Sequence, residues 1–293
     1  MGPGIAATLA RAGFRVAGFD ADADKRARAS QSFAQAMGAL EALQVPDRSI
    51  APIRIADDLA GCVAGADLVI ETVPEDLGLK HRVLAQLEEL VAPDCILASD
   101  TSGIPITRIQ APARHPARIV GMHWSNPPHI IPMIEVIAGE QTAPEVVSRT
   151  TQIVRVTGHL PITVRRDVAG FVENRVLYAI MRECVDLVEQ GVIDPLDLDQ
   201  CVSWGIGYKL SVVGPLALLD MAGLDIYAAV SSYLNRELCN RTDVADYVRS
   251  RTAAGHLGLK SGAGIYAYGP EEIPRLQAER ARRLIAVRRA LQS

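Results

Sequence analysis

Between Phe14 and Val164, short apolar runs bounded by Gly, Pro, Asp or Ser alternate with longer stretches of helical composition. That alternation is the pattern of strand–helix–strand units, which assemble into parallel sheets covered by helices on both faces. Phe14–Phe19, Ile53–Ile55, Ala66–Val73, Cys95–Ala98, Arg118–His123, Met133–Ile137 and Leu160–Val164 read as strands, and residues 24–44, 57–64 and 77–91 read as helices. The spacing predicts an α/β domain over residues 1–166 built on a doubly wound parallel sheet. Beyond Asp167-Val168-Ala169-Gly170-Phe171 the pattern changes: Val176, Leu177, Ile180, Cys184, Leu187 and Val188 recur at helical spacing. Helical segments then continue to the end, broken at Gly205, Gly207, Gly214-Pro215 and Gly262–Gly264. Residues 167–293 are therefore predicted to form an all-helical second domain.

The chain opens on the second half of a dinucleotide-binding βαβ unit. Gly2 leads into a helical run from Ile5, Gly13 ends it, and an apolar strand finishes at Asp20. In the full unit a strand precedes G-x-G-x-x-G, whose glycines let backbone N–H groups approach a pyrophosphate at the helix N-terminus. Gly2 matches the last of these glycines, and the first strand and first two glycines are not in the sequence. Such a strand would be central and buried on both faces, so the expected start lies about a dozen residues upstream of Met1. Asp20 stands where an acid accepts hydrogen bonds from the adenosine ribose and repels a 2′-phosphate, which favours NAD over NADP. The alternative for Asp20 is an ordinary turn at a strand end.

The formal net charge is -4, and no long Lys/Arg cluster supplies the field that nucleic-acid binding needs. The five cysteines (Cys62, Cys95, Cys184, Cys201, Cys239) show no CxxC pair, so a reducing cytoplasm is expected. No apolar run approaches the ~20 residues of a membrane helix.

The most informative stretch is Gly121-Met122-His123-Trp124-Ser125-Asn126-Pro127-Pro128, with Met133-Ile134-Glu135-Val136-Ile137 following. A His at a strand's C-terminal end sits at the ligand-binding edge of an α/β sheet, and its near-neutral pKa suits proton transfer. Glu135 interrupts an apolar strand, where a carboxylate is costly without a partner. An imidazole is a suitable one, since the acid fixes its tautomer and stabilises the imidazolium. The other reading is a satisfied core His and an edge-strand Glu. Thr101 and Ser102 lie in a polar cluster at another strand end, as helix cap or site donors. Asn174 caps a helix or faces the site. Glu75 is either a first-turn helix acid or a contact to the nicotinamide ribose.

Taken in order, His123-x-x-Asn126-Pro127, Glu135, Thr101-Ser102, Pro74-Glu75 with Lys80, Gly170-Phe171-Val172-Glu173-Asn174-Arg175, Gly214-Pro215 and Gly258–Tyr266 resemble the 3-hydroxyacyl-CoA dehydrogenase family. The resemblance implies a Rossmann-type NAD domain followed by a helical domain that forms a homodimer, with no metal. It implies that His123 and Glu135 are the catalytic dyad and that Ser102 and Asn174 hold the substrate oxygen. Glu75 and Lys80, with Gly2, Asp20 and Asn126, would contact NAD. Acyl-CoA members usually carry two aromatic residues after the His, whereas Trp124-Ser125 and the proline-rich Pro127–Pro132 stand here. That form is closer to the lambda-crystallin and gulonate dehydrogenase side of the superfamily. The stretches Asp100–Thr107, His123–Gly139 and Val202–Tyr227 resemble more closely still a bacterial aldehyde-oxidising branch of vitamin B6 breakdown, which implies a small-molecule substrate that is a hydrated pyridine-carboxylate aldehyde. A 3-hydroxyacyl-CoA substrate and a non-catalytic lambda-crystallin-like role are the alternatives. Arg165, Arg175 and Lys209 are candidates to bind a substrate carboxylate, and Lys25–Arg28 to meet a CoA.

Overall fold

The computed structural model describes residues 1–292. Its strands are β1 (Ala17–Gly18), β2 (Arg54–Ile55), β3 (Leu68–Glu71), β4 (Ile96–Ser99), β5 (Ile119–Trp124), β6 (Met133–Ala138) and β7 (Leu160–Val164). The α-helices up to β7 are α1 (Gly2–Arg11), α2 (Ala23–Ala42), α3 (Leu59–Val63), α4 (Leu77–Leu90), α5 (Ile106–Gln110) and α6 (Pro144–Val156). Side chains start several of these: Asp22 accepts from the N–H groups of Asp24 and Lys25 at α2, and Asp76 accepts from Leu79 at α4. The alternation read from the sequence is thus realised, with a Rossmann-type sheet first and helices after it.

Two features differ from the expected pattern. The strand expected over Phe14–Phe19 is regular only at Ala17–Gly18, because its parallel ladder to β2 extends over just those residues. The sheet is also mixed rather than wholly parallel. It runs β3-β4-β5-β6-β7, and β5 and β6 are antiparallel while the other pairs are parallel. The reason is the short link of residues 125–132, since a parallel pair needs a crossover of a dozen or more residues.

Period-two alternation along β4, β5 and β6 sends side chains to two opposite cores. Ile96, Ala98, Val120, Met122, Trp124, Ile134 and Val136 pack with Ile5 of α1 and Val146 and Val154 of α6. Leu97, Ile119 and Ile137 pack with Leu84 and Leu87 of α4, Ile106 and Ile109 of α5, and Phe171. His123 and Glu135 share the parity of Ile119 and Ile137, so they point to the second face. Gly121 lies between them and α5; a Cβ there would meet Ile106 Cδ1 at 2.8 Å and Ile137 Cβ at 3.0 Å.

The chain forms two compact units. One is Met1–Arg175 with Leu284–Arg289. In it, Arg288 of the last helix is buried and donates to the Ile130 carbonyl at 2.8 Å. The other covers Val176–Arg283 and the described residues from Ala290 on. It is helical, containing most of α7 (Glu173–Glu189), then α8 (Pro195–Cys201), a π-helical turn at Val202–Gly207, α9 (Tyr208–Leu210), α10 (Pro215–Ala222), α11 (Leu224–Glu237), α12 (Asp246–Ala253) and much of α13 (Glu272–Gln292). No single helix among the described residues is long and apolar enough to cross a membrane.

Candidate active site

His123 and Glu135 are direct cross-strand partners in the antiparallel β5–β6 ladder. Opposed residues on one face of such a pair have Cβ atoms about 4.5–5.5 Å apart, and the two side chains close that gap. His123 Nδ1 donates to Glu135 Oε2 at 2.7 Å, with His123 6% and Glu135 1% exposed. The carboxylate acceptor fixes the proton on Nδ1 and leaves Nε2 as the basic nitrogen.

The other carboxylate oxygen is also engaged. Glu135 Oε1 accepts from the N–H groups of Val172 at 2.9 Å and Glu173 at 3.2 Å. The chain reaches that position through a left-handed turn at Gly170 (φ 76°) and Phe171 (φ 49°). A non-glycine residue in this region is strained, and Phe171 is held there by complete burial in the core, its ring 5.8 Å from the imidazole.

Burial alone favours the neutral imidazole, but the hydrogen bond and charge of Glu135, with the charges of Glu173 and Asp100, more than offset it. The pKa of His123 is raised above its ordinary value. Burial likewise pushes Glu135 toward the protonated form, and the bonds from His123, Val172 and Glu173 reverse that and hold its pKa below the usual value. Asp100, just past β4, accepts from the Trp124 N–H at 2.9 Å, yet burial pushes its pKa up to about 7.

Around this pair lies a second network. Glu75 Oε1 takes the Thr101 hydroxyl at 2.6 Å and the N–H groups of Ser102 and Gly103, each at 3.0 Å, and of Ile104 at 3.3 Å. Glu75 thus shapes the loop that presents Ser102, an exposed residue whose carbonyl accepts from Asn174 Nδ2 at 2.5 Å. Glu75 Oε2 is 3.7 Å from Lys80 Nζ. Lys80 itself is 1% exposed and donates to Glu71 Oε1 at 2.9 Å, while Ser99 donates to Glu71 Oε2 at 2.7 Å. The structure therefore places Lys80 beneath Glu75 rather than at the surface.

Gly2 begins α1, and Asp20 is exposed beyond β1, where its Oδ1 accepts from the Asp22 N–H at 2.9 Å. No side chain caps α1, and a Cβ on Gly2 would meet nothing nearer than Thr72 Oγ1 at 3.6 Å. A helix start with no side-chain cap, followed by a strand and an exposed acid, fits a dinucleotide pyrophosphate and ribose. Asn126 is exposed and forms a cis peptide bond with Pro127.

Glu71, Asp100, Ser125 and Glu173 belong to these networks without having been singled out in the sequence. Glu71 ends an apolar strand much as Glu135 interrupts one, so the same signal pointed to it. Ser125 donates to Glu173 Oε1 at 2.6 Å, a contact between distant segments that carries no local signal. Side-chain ligand atoms of His123, Glu135 and Glu173 gather within 4.8 Å. The 2.7 Å approach of Nδ1 to Oε2 is that of a hydrogen bond rather than of two ligands around an ion.

Comparison with known proteins agrees with this architecture. Residues 1–168 match "3-hydroxyacyl-CoA dehydrogenase, NAD binding domain" and residues 170–268 match "3-hydroxyacyl-CoA dehydrogenase, C-terminal domain". A 5-formyl-3-hydroxy-2-methylpyridine 4-carboxylate 5-dehydrogenase of Mesorhizobium japonicum is 57% identical over 100% of this chain and 95% of its own length. A crystal structure of an enzyme of that activity, described as an NAD+ dependent dismutase, has a TM-score of 0.97 at 57% identity, covering 100% of this chain and 96% of that one. A probable 3-hydroxybutyryl-CoA dehydrogenase of Deinococcus radiodurans is 33% identical over 92% of this chain and 96% of its own. The chain belongs to the 3-hydroxyacyl-CoA dehydrogenase family and is an NAD-dependent dehydrogenase.

Proposed function

We propose that His123 and Glu135 are the proton-transfer dyad of this dehydrogenase, and that its substrate is the hydrated form of 5-formyl-3-hydroxy-2-methylpyridine-4-carboxylate. The observation that carries the dyad is the 2.7 Å bond from Nδ1 to Oε2, both side chains buried. The substrate reading rests on the full-length 57% identity to the relative of that name.

A hydrated aldehyde is a gem-diol, with the same H–C–O–H unit as a secondary alcohol. NAD, when bound, supplies the acceptor for the hydride that leaves this carbon. His123 Nε2 takes the hydroxyl proton, Glu135 stabilises the imidazolium, and the carbon becomes a carboxylic acid. The Ser102 hydroxyl and the Asn174 amide are assigned to the substrate oxygen, where donors stabilise developing charge. Gly2, Asp20, Glu75 and Asn126 are assigned to NAD, with Lys80 acting on it through Glu75. For a dismutase the step also runs in reverse on a second, unhydrated aldehyde: the carbonyl carbon takes the hydride and His123 returns its proton to the oxygen, so two aldehydes and one water give one acid and one alcohol. No thiol nucleophile is required, and burial raises the thiol pKa of Cys62, Cys95 and Cys184 above its ordinary value.

The domain roles follow the same reading: residues 1–166 bind NAD, and residues 167–293 hold substrate and form a homodimer. The helical unit supports the second role, since α7–α12 and the π-helical turn at Val202–Gly207 contain no buried residue and expose Trp204 (75%) and Leu216 (76%). Large exposed apolar patches mark interaction sites. All five cysteines are unpaired, in keeping with the proposed cytoplasmic location. The experiment is NAD-dependent conversion of 5-formyl-3-hydroxy-2-methylpyridine-4-carboxylate, gulonate and 3-hydroxybutyryl-CoA, read as oxidised product because dismutation consumes the NADH it forms. The pyridine aldehyde is expected to give the highest kcat/KM; preference for the CoA thioester overturns the substrate assignment and leaves the dyad standing.

A further inference from the structure

Three carboxylates act on the His123 imidazole: Glu135 from β6, Asp100 from the end of β4 and Glu173 from the first turn of α7. Glu135 has its direct bond to the ring, and Asp100 has its bond from the Trp124 N–H. Glu173 is different. The Ser125 hydroxyl holds its Oε1 at 2.6 Å, while Oε2 is buried with no hydrogen-bond partner and lies 4.0 Å from His123 Nδ1. A buried carboxylate oxygen without a donor is costly, and among the described residues its one ion-pair partner is His123, which is cationic only after proton uptake.

We propose that Glu173, held by Ser125, is a second carboxylate on the dyad imidazole, a positioning residue that sets the charge state of His123 without touching substrate. The inference rests on the dyad assigned above. Ser125 stands two residues after His123 on the same chain segment, so the group that aims Glu173 is tied to the ring it acts on. The N–H of Glu173 also donates to Glu135 Oε1, so one short segment fixes both carboxylates. An opposite charge within about 4–6 Å favours the charged form by roughly 1–3 pKa units. The Glu173 side chain keeps 29% exposure, which places its effect at the low end of that range. The consequence is a deeper well for the proton. Oxidation yields a stabilised imidazolium, and the reverse step retains a protonated donor to higher pH.

The test is an NMR titration of histidine-labelled full-length protein, with the His123 signal identified by its loss in His123→Asn. Glu173→Gln keeps the shape and the Ser125 bond but removes the charge. It is expected to lower the His123 midpoint by about one unit and to shift the acid limb of oxidised-product formation equally. Ser125→Ala, which frees the carboxylate, shifts both in the same direction by less. A wild-type or raised midpoint in Glu173→Gln overturns the proposal. Glu135→Gln separates the two assignments: a shift there with none in Glu173→Gln leaves the dyad and removes the second carboxylate, whereas no shift in either removes both. If Glu173→Gln does not fold, Ser125→Ala decides alone, a lowered midpoint supporting the proposal and an unchanged one overturning it.

Discussion

An acid in an apolar strand is a question the sequence poses residue by residue, and here each such acid has an answer. Glu135 is answered by His123 and Glu71 by Lys80. The first was legible because an imidazole stood at a strand end twelve positions earlier (135 − 123). The second was legible in principle, but Lys80 sits on a helix and its amphipathic stem reads as a solvated face until the fold turns it inward. Asp100 and Glu173 were not legible, since what defines them is how much water the surrounding segments remove. Because the pKa of His123 is raised, the acid limb of oxidised-product formation is expected above pH ~6.5. Glu135→Gln moves that limb to lower pH and reduces kcat by about a hundredfold or more, read from pH–rate profiles. For Asp100 the sign is opposite to that of an ordinary carboxylate. Its folded pKa of about 7 exceeds the 3.8 of the free group, so the folded state binds the proton more tightly. The stability it contributes is present below pH ~4 and lost as pH rises through ~7. Asp100→Asn is expected to flatten the fall of Tm across this window; an unchanged slope counts against it.

At the scale of elements, the alternation of strands and helices was readable while the direction of one strand was not. The link between β5 and β6 is too short for a crossover helix, and its consequence is that His123 opposes Glu135 in register instead of lying a strand diagonal away. Register in a sheet with both faces buried is tightly fixed, because a slip of one residue would send Glu135 to the opposite core. The buried pair between β3 and α4 makes a matching claim. Lys80→Met leaves Glu71 without its cation, although Ser99 and the Val73 N–H still donate to it. The expected cost is about 3 kcal/mol, measured by denaturant unfolding, and partly recovered when Glu71→Gln is added. No recovery in the double variant would show that the cost is lost packing and not an unpaired charge.

At the scale of the molecule, helical periodicity located the second unit but said nothing of what covers it, since an apolar stripe reads alike against its own core or a second copy. The apolar side chains exposed on α7–α12 are the physical case for the proposed homodimer. Light scattering is expected to give twice the 31.5 kDa of one chain, and Trp204→Glu to shift the population toward monomer. A wild-type mass of one chain would contradict the proposal. The account as a whole turns on one imidazole moving one proton, so its most direct test compares turnover with cofactor affinity in His123→Asn. The expected result is a fall in kcat of roughly 10²–10⁴ with the Kd for NAD essentially unchanged. Turnover near the wild-type rate, or a loss of NAD binding as large as the loss of kcat, would contradict it.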